Sequence, residues 1–347
     1  MKTIGVAIKG GSGYGAGELL RILLAHPAVE IVSVCSEQHA GRALTEFHPQ
    51  LSNLTALEFS SSPDWQKLNG FQEQVLFLPL PAEASAREME QLASQSAKER
   101  SRVKVIDISG AFRLSNAEVH ASAYPEVPFL ADIRRQFVFG MTEFNRQEIS
   151  QALWIANPGC LATAAMLAAA PLQTLSLAGQ IVIDAKTGSS GSGKEPKATT
   201  HHPRRNSNFF SYKLFSHQHQ PEIAEHALPQ QRFTFLASSL PLVRGIFVSL
   251  FAELDAPMSQ QQLRDLYAKF YQEAPFVRFR ESSPEIQHVV GSNFCDISVA
   301  IDGTRVIVLA ALDNLMKGMA GSAVQNMNVM CGIEEMTGLR LSAPFPI

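Results

Sequence analysis

The stretch Thr3–Leu24, TIGVAIKGGSGYGAGELLRILL, joins three patterns that together decide the fold. Thr3–Ile8 is a short apolar run typical of a buried strand, Gly10–Gly17 is rich in glycine, and Glu18–Leu24 is typical of a helix. A glycine turn between a strand and a helix is the setting in which a dinucleotide pyrophosphate binds at a helix N-terminus. We therefore predict a cofactor site in this turn. Its expected contacts are Gly10, Ser12, Gly13, Tyr14, Gly15 and Ala16.

Apolar runs typical of strands continue to alternate with a helical pattern. The predicted strands are Glu30–Cys35, Val75–Leu78, Val103–Ile108 and Leu153–Ala156, with a helix over Ala82–Ala97. This alternation predicts an α/β domain with a Rossmann doubly wound parallel sheet, whose ligands bind where the strands end. Pro79 and Ser109 directly follow two of these strands, so we expect both at the cofactor site. Ala111–Leu114, Tyr124–Glu126 and Phe139–Glu143 look like loops that lead to the last of these strands.

The end of the second predicted strand bears on the choice of cofactor. Glu37 would suit the ribose hydroxyls of NAD, whereas Ser36 together with Arg42 would suit the 2′-phosphate of NADP. Both possibilities are present, so these residues alone leave the choice open.

Asn157-Pro158-Gly159-Cys160 delivers a cysteine to the first turn of an Ala-rich helix-forming run. A thiol there meets free backbone N–H groups and the positive end of the helix dipole, which favour the thiolate. The same N–H groups suit an oxyanion that forms beside the sulfur. A single cysteine is more often a buried structural residue, so a nucleophile is predicted only with support from the rest of the chain.

Beyond Pro171 the patterns predict an α+β domain with a mixed sheet. Its expected strands are Ile181–Ala185, Phe233–Leu236, Gly245–Leu254, Phe294–Ile301 and Thr304–Leu312. The last two enclose a predicted hairpin turn at Asp302-Gly303. Gln260–Ala274 is predicted to be an amphipathic helix, and Met319–Cys331 a closing helix.

Two polar segments of this domain carry candidate site residues. A Gly/Ser loop follows the first strand without P-loop spacing, and its Gly188 and Ser189 are expected cofactor contacts. His217 and His219 precede Pro221, which suits the first turn of a helix, so His219 is expected at a helix entrance.

Composition limits the classes of function. The 347 residues exceed one ordinary core and favour two domains. A net charge of −3 and a pI near 6.4 give no indication of nucleic acid or an anionic membrane as partner, and Met1–Val6 is typical of a strand, not of a signal peptide. Four widely spaced cysteines without a Cys-x-x-Cys pair argue against a metal site or disulfides and favour a cytoplasmic location.

Five segments together resemble the N-acetyl-gamma-glutamyl-phosphate reductase family of arginine biosynthesis, which belongs with aspartate-semialdehyde dehydrogenase-like enzymes. The segments are Gly10–Leu20, Ile106–Leu114, Asn157–Thr163, His217–Ile223 and Leu312–Gly318, and the resemblance extends over nearly the whole chain. The resemblance implies NADPH-dependent reduction of N-acetyl-gamma-glutamyl phosphate to N-acetylglutamate 5-semialdehyde and phosphate through a cysteine thioester. It also implies NADP as cofactor and a homodimer or homotetramer.

The resemblance implies roles for individual residues as well. Cys160 matches the nucleophile and His219 the general acid/base, with His217 as the runner-up. Asn314 is expected beside the cofactor. Expected substrate contacts are Arg113, Asn157, His217, Glu222 and Arg244. The implied NADP-binding domain comprises residues 1–159 and 319–347, and the catalytic and oligomerisation domain comprises residues 160–318.

Departures from the family pattern leave alternatives open. Ala16 replaces a glycine, Leu161 replaces an aromatic residue, and residues 201–205 resemble lysine-pathway relatives. The same reaction on N-succinylglutamyl phosphate or an amino-protected 2-aminoadipyl phosphate is therefore the first alternative. A catalytically silent NADP-binding protein is the second, and it predicts that Cys160 and His219 do not lie together.

Overall fold

The computed structural model describes residues 3–94 and 102–346, which divide into two compact units. The first unit runs to Pro158 and includes Met319–Arg340, and the second comprises Gly159–Gly318 with the tail from Leu341. The expected first domain extends to residue 347, whereas this tail packs with the second unit. There the Phe345 ring lies 5.3 Å from the His288 ring between centroids.

The first unit is built on a parallel sheet. Its strands are β1 (Ile4–Lys9), β2 (Val29–Cys35), β3 (Phe59–Ser60), β4 (Glu73–Leu78), β5 (Val103–Asp107), β6 (Phe137–Phe139) and β7 (Trp154–Ala156). They lie in the order β3-β2-β1-β4-β5-β7-β6, and every pairing is parallel. The order around β1 is that of a dinucleotide-binding sheet, so the predicted Rossmann class is confirmed.

Before Pro158, the described residues of this unit form the helices α1 (Tyr14–Leu24), α2 (Trp65–Leu68), α3 (Ala82–Ser94), α4 (Ala117–Ala123), α5 (Ala131–Arg134) and α6 (Thr142–Gln151). The helix predicted over Ala82–Ala97 is seen as far as Ser94, and residues 95–97 lie outside the described residues. The loops predicted at Ala111–Leu114 and Tyr124–Glu126 are confirmed, whereas the loop at Phe139–Glu143 was wrong at its ends, because Phe139 ends β6 and Thr142 begins α6. A three-residue strand and a mostly polar helix give little periodicity, and tertiary contacts such as the stacked rings of Phe112 and Phe137, 4.2 Å apart, fix this region.

The second unit carries the predicted mixed sheet. Its strands are β8 (Ile181–Thr187), β9 (Phe210–Tyr212), β10 (Phe233–Ser239), β11 (Ile246–Glu253), β12 (Val277–Phe279), β13 (Cys295–Asp302) and β14 (Arg305–Leu312). Their order is β12-β13-β14-β11-β8-β10-β9, with β10/β8 and β12/β13 parallel and the other pairs antiparallel. Asp302 pairs with Arg305, so the hairpin turn is Gly303-Thr304, one residue later than predicted. Gly303 supplies the positive φ of +64° that this turn requires.

The helices of the second unit are α7 (Cys160–Ala169), α8 (His202–Arg205), α9 (His219–His226) and α10 (Gln260–Phe270). Helix α7 packs against β11 and β14, and every residue after its first is buried. Tyr267 and Tyr271 donate their hydroxyls to the α7 carbonyls of Ala168 and Leu167 at 2.7 and 2.6 Å. These contacts fix the helix that Cys160 begins.

The closing helix differs from its prediction at its start. The chain first makes a π-helical turn over Met316–Ala320 and then continues as α11 (Gly321–Met330). Isolated π-helical turns are frequent at functional sites because they change the direction of the following side chains.

Candidate active site

Cys160 stands at an uncapped helix start. Gly159 is the N-cap of α7, with an extended backbone (φ −73°, ψ 146°) and no side-chain cap. The Gly159 carbonyl accepts the Thr163 backbone N–H at 2.8 Å and Thr163 Oγ1 at 3.0 Å, which fixes the first turn. Cys160 alone in α7 keeps partial exposure. Its thiol therefore lies at the positive end of a helix and within reach of solvent, a setting that favours the thiolate.

His219 begins α9, and the residue is only 8% exposed. The ring lies directly against the backbone of Gly159, where a Cβ would be 2.3 Å from His219 Nε2. No side chain tolerates that distance, so the glycine before Cys160 is a steric requirement of the imidazole. The structure thus brings His219 to the residue that precedes the candidate nucleophile.

Glu222 lies on the same helix and is fully buried. Its Oε1 accepts the Gly159 backbone N–H at 2.7 Å. A carboxylate that accepts from a backbone N–H makes a short and strong hydrogen bond. Helix α9 therefore contacts Gly159 twice, through His219 and through Glu222.

His217 precedes α9, and its Nδ1 accepts the His219 backbone N–H at 3.1 Å. The two imidazole rings meet edge to face, with 4.7 Å between their centroids. Burial and, to a smaller extent, the charge of Lys213 lower the pKa of His217 to about 4. At neutral pH the ring is therefore uncharged, accepts through Nδ1 and carries its proton on Nε2.

Tyr212, at the end of β9, belongs to this cluster, although no signal in its sequence context distinguished it. Its ring centroid is 5.6 Å from that of His217. Burial first, and then the charge of Cys160, raise the pKa of Tyr212 to about 12, while Arg205 acts to lower it. The Tyr212 hydroxyl therefore keeps its proton at neutral pH. It can donate a hydrogen bond close enough to Cys160 to interact with the charge of the thiolate.

Gly318 is a second glycine that makes room for Cys160. A Cβ at Gly318 would be 2.7 Å from Cys160 Cβ. Its N–H donates to the Asp313 carbonyl at 2.9 Å, and Asp313 Oδ1 accepts the N–H groups of Leu315 and Met316 at 2.8 and 3.1 Å. The fully buried carboxylate of Asp313 thus fixes the segment that contacts Cys160.

Arg244 is held by the same carboxylate. Its Nη2 lies 2.9 Å from Asp313 Oδ2.

Lys317 follows in the π-helical turn and is almost completely buried, with its Nζ 5.8 Å from the ring centroid of Phe276.

Gly188, Ser189 and Asn314 form a second group, at the Gly/Ser loop. The Gly188 N–H donates to the Gly245 carbonyl at 2.8 Å, and Ser189 begins the 3₁₀ turn that follows. The Asn314 side chain accepts the Gly245 N–H and donates to Ser190 Oγ, both at 2.8 Å. The contacts seen at Asn314 therefore position this loop.

In the first unit, the glycine turn closes tightly on its own sheet. Gly10 has φ +100°, and a Cβ there would be 2.8 Å from the Pro79 carbonyl. A Cβ at Gly15 would be 2.5 Å from Met319 Sδ. Gly13 is the N-cap of α1 without a side-chain cap, and a Cβ there would meet no heavy atom within 4 Å.

These features fit the pyrophosphate of a nicotinamide dinucleotide. An uncapped helix start presents backbone N–H groups and the positive end of a dipole to an anion. Tyr14 is exposed at this start and Ser12 half-exposed, while Ala16 is buried where the family pattern has glycine. Gly10 to Ala16 would hold the pyrophosphate.

Ser36 and Arg42 follow β2. The Ser36 N–H donates to the Ser60 carbonyl at 2.9 Å. The exposed Arg42 guanidinium bonds Glu46 Oε2 through Nε at 3.1 Å and Nη2 at 2.6 Å, and lies 4.6 Å from the Phe47 ring centroid. The hydrogen bond from Arg42 lowers the pKa of Glu46.

Ser109, Arg113 and Asn157 lie at the ends of β5 and β7. Ser109 donates its N–H and hydroxyl to the Asp107 carboxylate at 3.0 and 2.9 Å, and burial raises the pKa of Asp107. Arg113 Nε donates to the Asn157 carbonyl at 2.8 Å. The fully buried Asn157 side chain donates to the Met319 carbonyl at 3.2 Å. These hydrogen bonds fix the segments that follow β5 and β7 in the first unit.

The described residues contain neither a cluster of metal ligands nor a helix that could span a membrane. Over residues 3–94 and 102–346, no three His, Cys, Asp or Glu side chains are grouped as metal ligands would be. In the same residues no helix has the length and hydropathy to cross a bilayer.

Two family models match the chain. The semialdehyde dehydrogenase NAD binding domain matches residues 5–152, and the semialdehyde dehydrogenase dimerisation domain matches residues 160–314. A Bacillus cereus protein is 39% identical over 345 residues, which are 96% of this chain and 98% of that protein. A Brevibacillus brevis protein is 38% identical over 351 residues, or 98% and 99% of the two chains. Both relatives are named N-acetyl-gamma-glutamyl-phosphate reductase.

Solved structures show the same fold at low identity. Aspartate semialdehyde dehydrogenase II from Vibrio cholerae has a TM-score of 0.71 at 16% identity, covering 96% of this chain and 99% of that chain. A probable aspartate-semialdehyde dehydrogenase from Pseudomonas aeruginosa has a TM-score of 0.66 at 17% identity, covering 94% and 98%. Fold and matched domains together define a nicotinamide-dependent oxidoreductase of the semialdehyde dehydrogenase class. Within this class, the chain belongs to the N-acetyl-gamma-glutamyl-phosphate reductase family.

Proposed function

We propose that this chain reduces N-acetyl-gamma-glutamyl phosphate to N-acetylglutamate 5-semialdehyde and phosphate with NADPH, in L-arginine biosynthesis. The names of its relatives support this substrate. The observation that carries the proposal is the contact of the His219 imidazole with Gly159, the residue before Cys160. A silent cofactor-binding protein gives no reason for that contact, which argues against the second alternative.

The proposed reaction begins at Cys160. The thiolate attacks the acyl carbon, the carbon–oxygen bond to phosphate breaks, and a thioester remains on Cys160. A reduced nicotinamide cofactor would supply the hydride that the thioester carbon must receive. The resulting thiohemiacetal oxyanion collapses, breaks the carbon–sulfur bond and returns the thiolate while the aldehyde leaves.

Protein groups have to stabilise the oxyanion twice, during attack and during reduction. The N–H groups at the start of α7 suit this charge. His219 is proposed to place a proton on the oxygen and to take it back on collapse. His217 suits that role less well, because its Nδ1 already accepts the His219 N–H and its pKa near 4 keeps the ring neutral. Tyr212, which keeps its proton, is a further proposed donor.

NADP is proposed in preference to NAD, with Arg42 and Ser36 reading the 2′-phosphate. The exposed Arg42 guanidinium already bonds a carboxylate, Glu46, which indicates that it suits an anion. Arg42→Ala should weaken NADPH binding and leave NADH binding nearly unchanged. Equal losses for the two cofactors in a fluorescence titration would contradict this assignment.

We further propose that the first unit binds the cofactor and that the second carries catalysis and oligomer contacts, in a cytoplasmic homodimer or homotetramer. One face of the second sheet carries a row of partly exposed apolar side chains, in which Phe251 pairs with Val182 on one side and Ile307 on the other. Burying such a row between two copies is favourable. Phe251→Asp should lower the molar mass measured by light scattering, whereas Phe270→Asp, at an exposed position at the end of α10, should not.

The deciding experiment is the reverse reaction, followed by NADPH absorbance with NADP⁺, phosphate and N-acetylglutamate 5-semialdehyde. Phosphate-dependent NADPH formation that is lost in Cys160→Ala is the expected result. N-succinylglutamate and protected 2-aminoadipate semialdehydes run beside it test the remaining alternative, which the basic segment around α8 favours. A faster rate with either of them would keep the mechanism and change the substrate.

A further inference from the structure

His48, a residue with no predicted role, supports the glycine turn of the first unit. His48 is 4% exposed and approaches the turn from the segment between β2 and β3. Its Nε2 lies 2.7 Å from the Gly11 carbonyl. A carbonyl only accepts, so Nε2 must carry the proton. The Nδ1 edge faces Gly17, where a Cβ would be 2.7 Å from Nδ1.

This imidazole connects the two halves of the turn. Gly11 lies before α1 and is also tied to the sheet, because its N–H donates to the Cys35 carbonyl at 3.1 Å. Gly17 lies inside α1, and its N–H donates to the Gly13 carbonyl at 3.0 Å. The ring of His48 therefore sets the distance between the end of the strand and the start of the helix.

His48 is itself firmly held. Its backbone N–H donates to the Leu44 carbonyl at 3.0 Å, and its carbonyl accepts the Leu51 N–H at 2.9 Å. A donor fixed in this way can restrain a glycine-rich turn, which would otherwise sample many conformations. Restraining a binding loop before the ligand arrives lowers the entropic cost of binding.

We infer that His48 is a positioning residue for the nicotinamide cofactor, acting through Gly11 and Gly17 to keep the turn in its pyrophosphate-binding form. The inference rests on the proposed function only in that the cofactor must bind at this turn. The inference adds a residue outside Gly10–Gly17, and the spacing of the glycines does not predict it.

The test is cofactor affinity, measured by NADPH fluorescence titration of the full chain. His48→Ala removes the donor to Gly11 and should raise the NADPH Kd about tenfold, the size expected for one lost hydrogen bond. His48→Gln can still donate from Nε2, so it should recover most of the affinity. Gly17→Ala keeps the donor but displaces the ring, and it should weaken binding as His48→Ala does.

His26 provides the matched control in the same unit. It is 1% exposed, its Nε2 lies 3.1 Å from Asn328 Oδ1, and its ring also packs against a glycine, Gly338. His26→Ala should lower the melting temperature without changing the NADPH Kd of the folded protein. Unchanged NADPH affinity in folded His48→Ala, or equal losses in the two alanine variants, would overturn the inference. Failure of the unaltered chain to bind NADPH would instead refute the proposed function itself.

Discussion

Two helices of this molecule, α1 and α7, begin in the same way and differ in what surrounds their first residues. Each has a glycine N-cap with an extended backbone and no side-chain cap. Around Gly13 of α1, an added Cβ would meet no heavy atom within 4 Å. Around Gly159 of α7, the same Cβ would be 2.3 Å from His219 Nε2.

The difference follows from what each helix start has to receive. At α1 the N–H groups suit the phosphates of a ligand, so the space around Gly13 has to stay open. At α7 the protein supplies its own partners, since Glu222 accepts the Gly159 N–H and His219 fills the space beside it. Catalytic groups act best when they are fixed before the substrate binds, which explains why this glycine is enclosed.

The largest expected effect comes from a substitution at Gly159 that fills the space occupied by the His219 imidazole. Gly159→Ala should displace His219 and lower kcat/KM by about 100-fold or more, the scale of a 1 Å misplacement in an active site. Steady-state kinetics measure it. The NADPH Kd should stay unchanged, because the glycine turn of the first unit is not altered. Activity within a few-fold of the unaltered chain would mean that the imidazole position is unimportant.

The next effect concerns pH. Because the pKa of His217 is lowered from 6.5 to about 4, the unfolded chain takes up this proton more readily than the folded one. This difference in pKa stabilises the folded protein fully above pH 6.5. The stabilisation, at most about 3 kcal/mol, is lost as the pH falls to about 4. Protonated Nδ1 can no longer accept the His219 N–H. Thermal unfolding at several pH values measures the loss.

His217→Asn is the matched variant for this prediction. Its side-chain oxygen can accept the His219 N–H at any pH, so the variant should lose less of its melting temperature on acidification. An identical acid dependence in both proteins would assign the effect to other groups.

Removing the acceptor of the Gly159 N–H should have a smaller effect. Glu222→Ala leaves this buried donor without its carboxylate, at a cost of about 1–3 kcal/mol of stability. Glu222→Gln retains an acceptor oxygen and should lose clearly less. Denaturant unfolding compares the two variants. Equal losses in both would mean that the charge of Glu222, rather than its hydrogen bond to Gly159, is what matters.

The sequence predicted the two helix starts well, because each carries a local signal. A glycine turn after an apolar strand and a Pro-Gly turn before an alanine run depend only on neighbouring residues. The Rossmann sheet and the mixed sheet followed from alternating apolar runs, and both are confirmed. The short β6 and the polar α6 escaped detection because tertiary contacts decide them.

The residues that contact each helix start were harder to predict than the helix starts themselves. His219 and Glu222 meet Gly159 across about 60 residues of sequence, and only the family resemblance indicated that they belong to the site. Tyr212, Gly318 and His48 contribute through packing and distance, which no spacing rule encodes. The substrate contact expected of Arg244 stays a prediction, and its guanidinium pairs with Asp313 in the structure.

The smallest expected effect concerns Gly13, the N-cap of α1 with open space around it. Gly13→Ala adds a methyl group where no protein atom lies within 4 Å, and Gly13 has φ −82°, which alanine adopts without strain. The melting temperature should therefore stay nearly unchanged. The methyl group would instead stand where the phosphates approach, so the NADPH Kd should rise by a few-fold, about 1 kcal/mol or less. A lower melting temperature with unchanged NADPH affinity would reverse the comparison, because Gly13 would then be needed by the fold and not by a ligand.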